Sequence, residues 1–137
     1  MRQVFVAAGL LLFAGLAQAA PVVDVTKIAG KSENEVAKYL GKPSSCGKSK
    51  QGKKCQYNKG ETEIVFIQGK ADWITVEGID QIPFTNAALV ALGLKEAGPA
   101  FSNNFTKRWE RIEDLREVSL FKGASSSDYA YIKVTTK

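Results

Sequence analysis

The order of apolar and polar residues is helical in some segments and typical of β-strands in others. The clearest helical pattern begins shortly after residue 30. Ser32 stands where a helix N-cap would, and Glu35 three residues later completes a capping box. Gly41 suits the left-handed position that ends a helix, and Pro43 cannot continue one. These signals predict a helix from about Glu33 to Leu40.

Short apolar runs bounded by turn residues predict six strands. The run from Ile64 to Ile67 is apolar on both faces of a strand, which indicates a central position in a sheet. Asn58-Lys59-Gly60 and Gly69-Lys70 are typical of turns, and residues 123–127 predict a flexible hairpin loop. The six predicted strands cover residues 56–57, 62–68, 72–77, 107–112, 117–121 and 128–134.

A second helical pattern precedes the later strands. It covers residues 83–93 and ends at Gly93, but it has no glutamate that would complete a capping box. Short helices combined with successive strands predict an α+β fold in which the helices pack on one face of an antiparallel sheet. Because a helix and three strands occur in each half, the pattern also allows two degenerate helix-plus-three-strand halves, residues 22–78 and 79–137.

The first residues of the chain have the features of a secretory signal peptide. Arg2 supplies a basic start, an apolar run follows from Val4 to Leu16, and Ala17-Gln18-Ala19 fits the small-residue pattern at a cleavage site. Removal of residues 1–19 would leave residues 20–137 as a single α+β domain. The apolar run is too short for a membrane anchor, so the sequence predicts a protein that does not span a membrane and is periplasmic or secreted.

Cys46 and Cys55 are the two cysteines of the chain, and an even number in an exported protein predicts a disulfide. The segment between them has no other apolar residue, so we expect it at the surface. A disulfide would hold this segment, the lysine loop, as a tethered hairpin that presents preordered positive charge. Alternatively, the lysines only keep a solvated loop soluble. The lysines concerned are Lys48, Lys50, Lys53 and Lys54.

The segment from Gly30 to Pro43, Gly-Lys-Ser-Glu-Asn-Glu-Val-Ala-Lys-Tyr-Leu-Gly-Lys-Pro, resembles a half-domain of the SmpA/OmlA and β-lactamase-inhibitory-protein-like family. The inhibitory proteins also place cysteines soon after this helix and at the start of the next strand, which matches Cys46 and Cys55. The resemblance covers about residues 25–77. It implies two short helices followed by an antiparallel sheet, and a non-enzymatic, protein-binding role in the bacterial envelope or outside the cell. The second half matches only faintly, and the chain lacks the cysteine that carries the lipid anchor of SmpA/OmlA members.

The chain contains no histidine, which removes the commonest general base and most zinc sites. Paired carboxylates such as Glu113-Asp114 and Glu61/Glu63 lie in turn or exposed-strand contexts, and the glycines do not form a phosphate-binding loop. The sequence therefore predicts a protein that is not an enzyme and uses no metal or cofactor. Removal of residues 1–19 would leave 18 basic and 14 acidic residues. This bias favours an acidic partner but is too small for a dedicated nucleic-acid binder.

Aromatic residues supply a second set of candidate binding residues. Tyr129 and Tyr131 share one face of a strand, and Trp73 lies on the otherwise polar face of another, whereas we expect Trp109 in the core. The sequence predicts an exported, non-enzymatic protein-binding module of the bacterial envelope, an inhibitor or assembly accessory, with an acidic protein partner. The alternative is binding of an anionic envelope polymer, such as lipopolysaccharide, through the lysine loop. The predicted binding residues are Lys48, Lys50, Lys53, Lys54, Trp73, Tyr129 and Tyr131.

Overall fold

A single eight-stranded antiparallel sheet makes up most of the structure, a computed structural model that describes residues 20–136. The predicted signal peptide, residues 1–19, lies outside the described residues. Four strands come from each half of the chain. The strands are β1 (Ser45–Lys48), β2 (Lys53–Tyr57), β3 (Thr62–Ile67), β4 (Lys70–Val76), β5 (Phe101–Ser102), β6 (Thr106–Ile112), β7 (Leu115–Lys122) and β8 (Ser127–Lys133).

The chain builds the sheet as two four-stranded meanders. The spatial order is β1-β2-β3-β4-β8-β7-β6-β5, so the strands of each half follow one another as neighbours. The meanders join where β4 lies antiparallel to β8, with Trp73 opposite Lys133 and Thr75 opposite Tyr131. The last strand of each half therefore lies at the centre of the sheet, and β1 and β5 form its edges.

The predicted α+β fold, with short helices packed on one face of the sheet, is wrong. Helical residues amount to 15%, in one short helix, α1 (Glu33–Leu40), the single turn α2 (Ala88–Ala91) and two 3-10 turns. The halves also differ from the predicted helix and three strands, because each contributes four strands. The strands β1 and β5 are short and exposed, so no alternation of buried and exposed residues marks them in the sequence. Within residues 20–136, no helix has the length and apolar character needed to cross a membrane.

The helix α1 has the bounds that its capping signals predict. The Ser32 hydroxyl accepts a hydrogen bond from the Glu35 N–H at 3.3 Å, which satisfies a donor that the first turn leaves free. Gly41 follows the helix with a φ of 84° and a ψ of −174°, a positive-φ conformation that glycine adopts without strain. Val36 and Leu40 are buried in the core, so the helix is held by packing as well as by its caps.

The second predicted helix, residues 83–93, is reduced to the single turn α2. No side chain caps its first turn, and the Asn86 side-chain oxygen is buried without a hydrogen-bond partner in the described chain. A segment this short, without a cap, does not offset the free-energy cost of helix nucleation. Ala88 and Leu89 are buried in the core, so packing holds the turn in place.

One face of the sheet forms the hydrophobic core. Directly paired residues share a face of the sheet, and a continuous row of buried side chains crosses six strands from β2 to β6. Apolar residues from segments outside the sheet, including Val25, Val36 and Leu92, complete the core on this side. The opposite face, called the open face below, carries the alternate residues of the same strands. The buried row consists of Cys55, Ile64, Ile74, Ile132, Val118 and Trp109.

Candidate functional site

Partly exposed aromatic side chains line the centre of the open face. Trp73 on β4 and Tyr131 on β8 alternate with the buried residues Ile74 and Ile132, so both point away from the core. Tyr129 occupies the same face two residues before Tyr131. Strand alternation therefore brings all three predicted aromatic binding residues to one surface, where each is partly accessible to solvent.

Phe121 extends this surface, although the sequence did not single it out. It lies opposite Tyr129 in the register of β7 and β8, with the ring centroids 4.6 Å apart and the ring planes inclined by 24°. Stacking of this kind stabilises an aromatic pair beyond the area that it buries. The hairpin loop at residues 123–127 was the available signal, because a tight loop sets the residues on either side of it opposite each other. We call Trp73, Phe121, Tyr129 and Tyr131 the aromatic strip.

Hydrogen bonds fix Trp73 at one end of the aromatic strip. Its indole Nε1 donates to the Thr136 hydroxyl. Asp72, which precedes Trp73 at a β-bulge, is 6% exposed, and its carboxylate accepts hydrogen bonds from the N–H groups and hydroxyls of Thr135 and Thr136. Burial raises the pKa of Asp72, but the hydrogen bonds from Thr135 and Thr136 outweigh it and hold the pKa below its usual value. The C-terminal segment is thus clamped beside the indole, which restricts the orientations that Trp73 can adopt.

Tyr131 lies at the centre of the open face. Thr75 on β4 and Ser119 on β7 are its direct neighbours across the sheet. Burial raises the pKa of the Tyr131 hydroxyl, and the carboxylates of Glu117 and Asp72 raise it further. The hydroxyl therefore stays protonated at neutral pH and can donate a hydrogen bond to a ligand on this face.

Charged residues of both signs surround the aromatic strip. A depression of about 470 Å³ beside strands β2 to β4 contains three glutamates, and one of about 280 Å³ beside β6 to β8 contains three cations and two glutamates. Within residues 20–136, no group of His, Cys, Asp or Glu is placed to hold a metal ion. The open face thus combines an aromatic centre with a polar rim. The larger depression contains Glu61, Glu63 and Glu77, and the smaller one Arg111, Arg116, Lys133, Glu110 and Glu117.

The basic residues of β6 and β7 differ in whether their charge is neutralised within the protein. Arg108 Nε lies 3.4 Å from a Glu110 carboxylate oxygen and 3.8 Å from one of Glu117. Arg111 and Arg116 are exposed and form no ion pair with another described residue. These two arginines can therefore pair with acidic groups on a partner.

The lysine loop folds as the hairpin of β1 and β2. The predicted disulfide between Cys46 and Cys55 is present and joins directly opposed residues of the two strands. At the tip of the hairpin, the Ser49 N–H donates to the Gly52 carbonyl at 2.8 Å. The loop is therefore an ordered part of the sheet, and all four residues of β1 are exposed to solvent.

The four predicted binding lysines point in different directions. Lys53 lies on the side of the core, where its Nζ is 2.8 Å from the Glu33 carboxylate of α1. Lys54 lies on the open face, Lys48 lies opposite Lys53, and Lys50 is in the turn between the strands. The hairpin therefore brings the lysines together in space without forming a single cationic surface.

Trp109 belongs to the core, as the sequence predicts. Its side chain is 2% exposed, and its indole Nε1 donates to the Ala97 carbonyl at 2.8 Å. A buried indole N–H needs such a partner. The two tryptophans therefore lie on opposite faces of the sheet, and only Trp73 is available to a ligand.

Comparisons with known proteins give a likeness of fold alone. No family model matches the chain, and no curated protein matches it in sequence. A solved extracellular protein containing an SCP domain, from Bacillus anthracis, is similar in structure, with a TM-score of 0.54 and 12% sequence identity. The similarity covers 85% of this chain and 47% of the other, so the chain spans about half the length of that protein. At this identity the similarity concerns the fold and carries no function.

Proposed function

We propose that the protein is an exported, non-enzymatic binding module that recognises a folded protein through the open face of its sheet. The observation that carries this proposal is the aromatic strip. Four aromatic side chains share one surface and remain partly accessible to solvent, although the other face of the same sheet forms the core. Aromatic residues supply a large contact area and are enriched among the residues that dominate protein interfaces.

The aromatic strip is ordered before any partner arrives. Trp73 is tied to Thr136, and Phe121 is stacked on Tyr129. Side chains that are already fixed lose little conformational entropy on binding, so more of the contact energy remains as affinity. This preorganisation supports a role in recognition.

The rim around the strip favours an acidic partner. Arg111 and Arg116 are not neutralised by ion pairs within residues 20–136, and removal of residues 1–19 would leave 18 basic and 14 acidic residues. Complementary charge at a rim raises the rate of association and selects the orientation of a partner. We therefore expect acidic groups on the partner opposite the smaller depression.

The proposal includes a periplasmic or secreted location. Residues 1–19 have the features of a signal peptide, and disulfides persist in oxidising compartments. The similar solved protein is also described as extracellular. An inhibitor or an assembly accessory of the envelope fits this location and the absence of a histidine from the chain.

A photo-crosslinking amino acid at Thr75 tests the proposal, because Thr75 lies opposite Tyr131 on the open face. In the native host, we expect one saturable adduct with an envelope or secreted protein. The adduct should disappear when Trp73→Ala is added and persist with Phe105→Ala, which changes an aromatic side chain that is 72% exposed outside the strip. The same crosslinker at Val90, an exposed position outside the sheet, serves as the position control.

Two results of this experiment would overturn the proposal. One is an adduct that survives Trp73→Ala, because recognition would then not use the aromatic strip. The other is an adduct with lipopolysaccharide in place of protein, which would favour the anionic-polymer alternative. That alternative has less support in the structure, because Lys53 is paired with Glu33 and the remaining lysines point in different directions.

A further inference from the structure

The strand β1 forms one edge of the sheet and is exposed along its whole length. It pairs with β2 on one side only, and all four of its residues are exposed. The bond from the Ser49 N–H to the Gly52 carbonyl sets the alternation of hydrogen-bonded and non-hydrogen-bonded pairs in this hairpin. By that alternation, the N–H and C=O groups of Cys46 and Lys48 point away from β2. The edge therefore offers backbone groups at the spacing that an added strand requires.

A disulfide holds this edge strand against β2, and an exposed ion pair lies beside it. The disulfide joins Cys46 of β1 to Cys55 of β2, with the two Cα atoms 4.1 Å apart. Lys53 of β2 is in turn paired with Glu33 at the start of α1. An edge that is already ordered loses little conformational entropy when a strand docks on it.

The surroundings of β1 are strongly basic. Residues 42–60 contain six lysines and no acidic residue. Lys48, Lys50 and Lys54 are exposed and form no ion pair with any described residue. Because this charge is not compensated within residues 20–136, it attracts acidic groups from outside.

A depression of about 510 Å³ lies along the same hairpin. A Cβ placed on Gly47 would meet no atom within 4 Å, so this position leaves open space beside the disulfide. The lining surface is mainly apolar although it includes two lysines, whose methylene stems can cover apolar groups, so the depression suits an apolar side chain. The lining residues are Cys46, Gly47, Lys48, Ser49, Gly52 and Lys53.

We propose that β1 docks an extended, acidic segment of a partner protein as a ninth strand of the sheet. The segment pairs its backbone with Cys46 and Lys48. It directs acidic side chains at Lys48 on the core side of the sheet and at Lys54 on the open face, so lysines that point in different directions suit a strand, whose side chains alternate between the two faces. A second copy of the same chain does not fit, because pairing two β1 edges would bring lysines of like charge together. This surface is separate from the open face and does not depend on its role.

Amide hydrogen exchange of the disulfide-bonded protein, followed by NMR, tests the proposal directly. The probe is an octapeptide of alternating Glu and Val, which is acidic and able to pair as a strand. We expect slower exchange at the Cys46 and Lys48 amides on peptide addition, and little change at Gly47, whose amide already faces β2. An octapeptide of alternating Glu and Pro has the same charge but few ladder donors, and it should bind at least about tenfold more weakly.

Two further measurements separate strand pairing from charge attraction. Lys48→Pro removes the outward N–H, whereas Lys48→Ala keeps it and removes the same charge. We expect the proline variant to bind the Glu-Val peptide more weakly than the alanine variant, with thermal unfolding used to verify that both remain folded. Polyphosphate, which is anionic but has no peptide backbone, should leave the exchange of the Cys46 and Lys48 amides unchanged.

The proposal is overturned if both acidic peptides bind equally, or if neither changes exchange at Cys46 and Lys48. The lysines would then serve only to protect an edge strand from aggregation. Loss of peptide binding in Trp73→Ala would also contradict it, because that residue belongs to the open face. Failure here leaves the crosslinking result at Thr75 unaffected, so the two surfaces are tested independently.

Discussion

Asp72 links the end of the chain to the surface on which Trp73 lies. The residue is 6% exposed, and its carboxylate accepts hydrogen bonds from the N–H groups and hydroxyls of Thr135 and Thr136. A buried carboxylate needs such donors, because its ionised form is costly to remove from water. The same segment supplies the Thr136 hydroxyl that accepts from the Trp73 indole. Asp72 therefore supports the aromatic strip without being part of it.

We predict that Asp72→Asn lowers the free energy of unfolding by about 1–3 kcal/mol at pH 7, since hydrogen bonds to a charged acceptor are lost. In the native protein, burial raises the pKa of Asp72, but the hydrogen bonds from Thr135 and Thr136 together outweigh it and hold the pKa below its unfolded value of about 3.9. The ionised carboxylate therefore stabilises the fold above that unfolded pKa, and the stabilisation is lost as the pH falls through the folded pKa. Urea denaturation at several pH values measures the free energy of unfolding of both proteins. The difference in this free energy between the native protein and the variant should become smaller below about pH 4.

The exposed Asp128→Asn is the matched control, and it should leave the free energy of unfolding within about 0.5 kcal/mol of the native value. The prediction is contradicted if the free energies of unfolding of the native protein and Asp72→Asn differ by the same amount from neutral to acidic pH. The charge of the carboxylate would then not be what holds the C-terminal segment.

Single residues could be predicted from sequence where their role depends on near neighbours. Ser32 and Gly41 were read correctly as helix caps, because capping is decided within one turn of the chain. Asp72 was not singled out, because its partners Thr135 and Thr136 lie far from it in sequence. Phe121 was not singled out although its partner Tyr129 lies across the next hairpin, because the exact register of that hairpin is not visible in the pattern of apolar residues. A β-bulge such as the one at Asp72 leaves no clear sequence pattern.

Gly52 determines how closely the β1–β2 hairpin approaches β3. A Cβ at this position would lie 2.0 Å from the Phe66 carbonyl oxygen, a backbone atom that cannot move aside without disturbing the strand. We predict that Gly52→Ala lowers the free energy of unfolding by about 1–3 kcal/mol through this overpacking. Urea denaturation measures the effect, and proton chemical shifts of the β2 and β3 amides should change together with it.

Gly47→Ala is the matched control, because the added methyl group meets no atom within 4 Å. It should change the free energy of unfolding by no more than about 0.5 kcal/mol. Equal stability of the two alanine variants would contradict the prediction, because it would show that position 52 has room for a methyl group beside β3.

Strands and helices differed in how well the sequence predicted them. The interior strands β3, β4, β6, β7 and β8 overlap the predicted runs, because each alternates or concentrates apolar residues. The edge strands β1 and β5 were missed, since none of their residues is buried and no pattern of apolar residues marks them. The second helix was predicted too long. Its apolar run has no cap, and such a run is equally compatible with an irregular segment that packs into the core.

The arrangement of the two sheet faces could be predicted only in part. The sequence indicated that Trp73 lies on the otherwise polar side of its strand, and the structure confirms that this side is opposite the core. It did not show that the strands would form one eight-stranded sheet with little helix, so the α+β prediction was wrong. The covering of a sheet face depends on where segments such as residues 79–97 pack, and that is decided by tertiary contacts.

The affinity of the crosslinked partner for purified variants, measured by titration calorimetry, tests most directly whether the open face is the recognition surface. Trp73→Ala and Tyr131→Ala should each weaken binding by about 30-fold or more, since a central aromatic anchor contributes roughly 2 kcal/mol or more. Phe105→Ala, which removes an aromatic side chain that is 72% exposed outside the strip, should leave the affinity unchanged. Equal affinities for all three variants would contradict recognition through the open face.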